Sequence, residues 1–130
     1  MGLIERRLIK EAKEAWLPGE LQEIESIAGA AVAVDIDWAS FESDEAALKN
    51  LQHLGVHKLV NALRVICRDD LGKEAVRDSI KRMVVVNQPA ITEPTVGLEG
   101  GTVTLVCHFG KGPDGCLTDL QIARVLERAL

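Results

Sequence analysis

Tyrosine is absent from this chain, and two phenylalanines and two tryptophans are its only aromatic residues. Stacking platforms for bases or sugar rings are therefore scarce, which argues against single-stranded nucleic acid and carbohydrate as ligands. An excess of basic residues is missing too. Fifteen Lys and Arg stand against twenty Asp and Glu, and the net charge of −5 has the wrong sign for a phosphate-rich partner. No apolar run approaches the length of a membrane span, and no charged-then-apolar segment opens the chain. The expectation is cytoplasmic residence with neither membrane nor nucleic acid as partner. Cysteine is sparse and odd in number: Cys67, Cys107 and Cys116 are widely spaced, each in or beside an apolar segment. They read as buried free thiols, not as a disulfide framework. Repeats, low-complexity runs and linkers are also missing, so residues 1–130 form one domain, long enough to bury a core without staples.

What the chain does contain is 47% hydrophobic and 27% charged residues, the balance of an ordinary globular domain. The most informative stretch runs from Met83 to Cys107. Thr95-Val96-Gly97-Leu98-Glu99 and Thr102-Val103-Thr104-Leu105-Val106-Cys107 flank Gly100-Gly101, the φ > 0 pair that a two-residue hairpin turn needs. That turn sets Leu98 against Val103 and Val96 against Leu105 on one side. Gly97 faces Thr104 and Thr95 faces Val106 on the other, as a half-buried sheet requires. Val84, Val86, Leu98, Val103 and Leu105 are then the expected inward residues. Met83-Val84-Val85-Val86 is apolar on both faces, so this strand is central or covered by a second subunit, and a homodimer is one way to cover it.

Around this core the hydrophobic period alternates between helix and strand. Leu3 to Trp16 and Glu20 to Ile27 carry apolar residues at helical spacing, interrupted by Pro18-Gly19 and stopped at Gly29, which gives a helix pair or one kinked helix. Ala31 to Trp38 switches to period two, with Val32, Val34, Ile36 and Trp38 on one side and Asp35 and Asp37 on the other. Ser43 reads as an N-cap for a helix ending at Gly55, followed by a second helix through Cys67 and a third over Lys73 to Ile80. Thr118-Asp119-Leu120-Gln121 is a capping box heading a C-terminal helix. The expected class is α+β: a small, mainly antiparallel sheet of about four strands, packed on one face by several helices.

Motifs that carry chemistry are few. Gly110-Lys111-Gly112-Pro113-Asp114-Gly115 fits G-x-G-x-x-G, but Pro113 removes an amide donor and the capping box starts the next helix only at Thr118. A glycine-rich connection is the better reading, with an anion site at Lys111 as the weaker one. His53 and His57 have H-x-x-x-H spacing, yet Gly55 between them reads as a helix stop and no third ligand is assigned. No metal or other cofactor is expected. Lys73, Arg77, Lys81 and Arg82 form the densest basic cluster.

The constellation of most interest is acidic. Asp35 and Asp37, two apart on one strand, leave the same side of it, and Thr102, Thr104 and His108 share one side of theirs. If these sides coincide, acids, hydroxyls and an imidazole converge on one exposed face. Such a face suits contact with a protein partner, a basic one by charge, with the carboxylates ionised and unpaired within the chain. The expected function is protein–protein binding, as an inhibitor, adaptor or regulator. The alternatives are a small enzyme using Asp35, Asp37 and His108 for acid–base work, or an accessory domain of a larger assembly.

Overall fold

Pro18 sits where a proline does least harm. In the computed structural model, which describes residues 2–130, it lies in the first turn of α2 (Leu17–Ala28). The chain reaches α2 from α1 (Leu3–Glu11) without a break, through a π-helical turn at Ala12–Trp16 in which Leu17 N–H bonds to the Ala12 carbonyl. The wider turn absorbs the proline, so the two helical segments run on as one helix. Gly29, at φ 71°, ends it with a left-handed cap.

Gly55 is not a stop. It lies in a second π turn, Gln52–Val56, which joins α3 (Glu45–Leu51) to α4 (His57–Ile66) as another continuous helix. The N-cap of α3 is Asp44, one residue beyond the expected Ser43; its carboxylate accepts from Ala47 N–H at 3.0 Å. Asp69 caps α5 (Asp70–Ser79) by accepting from Gly72 N–H at 2.8 Å. The Thr118–Gln121 capping box heads α6 (Asp119–Ala129), with both reciprocal bonds formed.

The sheet is mixed, which corrects the expected mainly antiparallel arrangement. Its strands are β1 (Ala33–Ile36), β2 (Arg82–Asn87), β3 (Thr95–Glu99) and β4 (Thr102–Cys107), in the order β1-β2-β4-β3. The β3–β4 hairpin has the expected register, turning on Gly100 and Gly101 at φ 58° and 80°. The two other pairings, β1 with β2 and β2 with β4, are parallel. The first follows from the three helical segments between β1 and β2, since a strand returning through a helical crossover enters parallel. The second arises because segment 88–94 carries the chain past the β4 position, so the hairpin docks with its second strand against β2.

Register also corrects the inward set on β2. Met83 and Val85 are fully buried and Asn87 nearly so, whereas Val84 and Val86 lie on the opposite face and are only half-buried. An apolar run with valine on both faces carries no register of its own. The inward rows are Val34–Met83–Val103–Leu98 and Ile36–Val85–Leu105–Val96. Val103 and Leu105 are fully buried as expected, and Leu98 is partly buried at the edge. These rows meet Leu51, Leu59, Leu63, Ile122 and Leu126 from the helices in one core, with Phe41 and Phe109 in ring contact at 5.5 Å between centroids.

Candidate functional site

Among the described residues, no helix packs on the other face of the sheet. Its rows read Ala33–Arg82–Thr102–Glu99, Asp35–Val84–Thr104–Gly97, and Val86–Val106–Thr95. Val84, Val86 and Val106 are half-buried by their neighbours within the sheet but do not join the core cluster. The result is an apolar stripe down the middle of an open surface, with threonines on one flank and the acidic strand on the other.

Register places Asp35, Thr102 and Thr104 on this face, as the alternation anticipates. Asp37 extends β1 by one step, its N–H bonded to the Val85 carbonyl at 2.9 Å, and its side chain is exposed. His108 leaves the end of β4 on the same side by alternation, but it turns into a shallow recess shared with Ile91, Thr92, Glu93, Pro94 and Lys111. Asp35 and Thr104 stand two strand spacings apart, about 10 Å, with Val84 between them. No hydrogen bond spans that gap.

One expectation about this face is corrected. Asp35 is exposed but not unpaired: Arg82 Nε donates to its Oδ2 at 2.5 Å. The parallel register causes this: Arg82 pairs with Ala33, two residues from Asp35, and so lies on the same face of the adjoining strand. The pairing also takes Arg82 away from the basic cluster on α5. Net acidity on the face therefore comes from Asp37 and Glu99.

Elsewhere the geometry disposes of two motifs. Gly110–Gly115 falls in tight 3-10 turns with Gly112 at φ 81°, and α6 begins only beyond it, so the loop does not open that helix as the motif requires. Gly110 and Gly115 serve close packing, and Gly112 a left-handed turn. A Cβ on Gly110 would lie 3.2 Å from the Asp44 carboxylate, which also makes this a poor place for an anion. His53 is exposed, whereas His57 Nδ1 lies 3.1 Å from Glu20 Oε2, so the two histidines do different things. Among the described residues no group of three or more His, Cys, Asp or Glu is placed to hold a metal. No described helix is long and apolar enough to cross a membrane.

Three polar features escape sequence reasoning. Glu20, nearly buried on α2, meets His57 on α4 and ties the two long helices together. Asn87, in the core row of β2, donates to Ser40 O at 3.0 Å and Asp44 Oδ2 at 3.1 Å, and accepts from Phe109 N–H at 3.3 Å. The signal for it is a lone amide at the end of an all-apolar strand. The third is a pair: the Cys107 and Cys116 thiols are close enough to shift each other's proton affinity, while Cys67 stands apart with its thiol pushed up by burial.

A groove of about 500 Å³ also runs between α5 and α6, floored by Ile66, Ala75 and Leu130 and rimmed by Asp69, Glu74 and Asp78. The Arg68–Glu127 ion pair, at 3.4 Å, lies along it. No protein-family model matches the chain, and comparison with curated proteins and with solved structures returns no significant match.

Proposed function

We propose that this protein works by binding another protein through the open face of its sheet, as an inhibitor, adaptor or regulator. The observation that carries this reading is the Val84–Val86–Val106 stripe, which lies on an uncovered face and outside the core. Parallel strands are normally buried on both faces, and an apolar centre rimmed by polar groups is the usual make-up of a contact surface. Charge selects the partner's chemistry. With Asp35 neutralised by Arg82, the surplus acids Asp37 and Glu99 suit a partner that is apolar at its centre and basic at its margin. Such steering speeds encounter more than it deepens affinity. The enzyme reading has less support, because Asp35 is engaged by Arg82 and about two strand spacings separate the acidic strand from β4.

The test is a Val84→Glu/Val106→Glu double variant, compared with Leu71→Glu in the α5–α6 groove as a control. Both should keep the wild-type circular dichroism spectrum, since all three side chains are partly or wholly exposed. A protein captured by wild type and by the Leu71 control, but not by the double variant, is the expected result. Light scattering on the purified chain separates the other occupant: a dimer mass abolished by the double variant assigns the face to a second copy. Identical capture by all three forms, with a monomer throughout, would overturn the proposal.

A further inference from the structure

The loop after β4 returns on itself. His108 N–H donates to the Gly115 carbonyl at 3.0 Å, which leaves Cys107 and Cys116 as the next residues outward on the two sides of the closure. Gly115 makes this approach possible, because a Cβ there would lie 2.1 Å from the His108 carbonyl oxygen. Beyond the closure the two side chains are neighbours, Cys116 packing against the core that includes Cys107, and each thiol shifts the other's proton affinity. Lys58, on α4, donates from Nζ to the Leu117 carbonyl at 2.8 Å and so holds an ammonium beside the pair.

The two sulfurs are not equivalent. Cys107 is fully buried at the end of the core row of β4, whereas Cys116 is partly exposed. The Cys116 thiol is lowered by its neighbour Cys107, with Lys58 adding to the effect. The Cys107 thiol is pushed up, by its neighbour Cys116 and by burial. An accessible, thiolate-prone sulfur in contact with a buried protonated one is the arrangement of an attacking and a resolving cysteine.

We propose that Cys116 and Cys107 form a dithiol site that reacts with small-molecule disulfides and closes to an intramolecular disulfide. In the first step the Cys116 thiolate attacks one sulfur of the disulfide, a mixed disulfide forms on Cys116, and one thiolate leaves. In the second step Cys107 gives up its proton to that leaving thiolate and attacks the Cys116 sulfur, expelling the second thiolate. The protein loses two protons and two electrons, and the small disulfide takes them up to become two thiols. A Cα separation of about 4.4–6.8 Å suits a disulfide, and the closure of loop 108–115 brings neighbouring backbone into this range. The site is independent of the sheet face.

The experiment is treatment of the reduced chain with oxidised glutathione at neutral pH, followed by intact mass measurement and non-reducing peptide mapping. Wild type should yield a Cys107–Cys116 cross-link without retained glutathione, and Cys67 should stay reduced. Cys107→Ser should keep glutathione on Cys116, and Cys116→Ser should react at least about tenfold more slowly. Because Cys107 is buried, Cys107→Ala serves as a second resolving-cysteine variant. The wild-type map decides the matter even if both fail to fold. Glutathione retained on wild-type Cys116 without a cross-link, or faster reaction at Cys67, would overturn the assignment.

Discussion

A Cβ on Gly55 would stand 2.9 Å from Cε1 and 3.1 Å from Cζ of Phe109. The glycine lies inside a continuous helix because the phenyl ring lies against the backbone of the π turn there. Phe109 is itself fully buried against Phe41, so the ring has nowhere to swing.

Gly55→Ala is therefore expected to destabilise the fold, although alanine is the better helix former by about 1 kcal/mol. Overpacking in a filled core costs about 1–3 kcal/mol, which leaves a net loss of about 1 kcal/mol. Urea unfolding checks this. Combining the change with Phe109→Leu should recover much of the deficit, and strict additivity of the two changes would exclude the steric account.

Asn87 carries a second prediction, because four segments depend on one amide. Its side chain joins the end of β2 to Ser40, Asp44 and Phe109, and its own N–H donates to Ser40 Oγ at 3.0 Å. Asn87→Ala leaves the buried Phe109 N–H without a partner and should cost about 1–3 kcal/mol. Asn87→Asp should be worse at neutral pH, since it puts a second carboxylate against Asp44. Two adjacent carboxylates raise the proton affinity of the folded state, so the deficit is present at neutral pH and shrinks on acidification. Thermal midpoints at pH of about 7 and about 5 test the sign. A deficit that grew on acidification would exclude repulsion as the cause.

Register makes the third prediction quantitative. Leu105 is fully buried in the inward row, and Leu105→Ala should cost about 2–5 kcal/mol in chemical denaturation. Val86, on the open face, should tolerate alanine at less than about 1 kcal/mol. Equal losses at the two positions would mean that the stripe is covered in the isolated chain.

What the sequence reveals follows from how local each signal is. The hairpin, the Thr118 capping box and the alternation of Val34 and Ile36 with Asp35 are written within a few residues each, and all appear in the fold. Parallel pairing between β2 and β4 is not local, and nothing in Met83-Val84-Val85-Val86 says which face turns inward. Gly55 misleads for a related reason: its explanation lies in Phe109, 54 positions away by numbering. The acidic strand is legible as a shared face, but the Arg82 partner of Asp35 depends on a register that the sequence does not hold. Cys107 and Cys116 look separate until a loop closure joins them.

The acidic strand supports the last prediction. Asp35 and Arg82 are each about half exposed, at 52% and 53%, so their ion pair is solvated and contributes at most about 1 kcal/mol. Asp37 lies on the same side of β1 with its carboxylate in solvent. Replacing both with Asn should therefore shift the thermal midpoint only slightly, because the lost surface pair is partly offset by the relief of two neighbouring like charges. If the face receives a basic-rimmed partner, the same double change should slow association and flatten its dependence on salt, leaving dissociation nearly untouched. Stopped-flow or surface-immobilised binding at two ionic strengths reads both effects. Association rates that match wild type at low salt would remove Asp35 and Asp37 from the contact and leave the valine stripe to carry the surface alone.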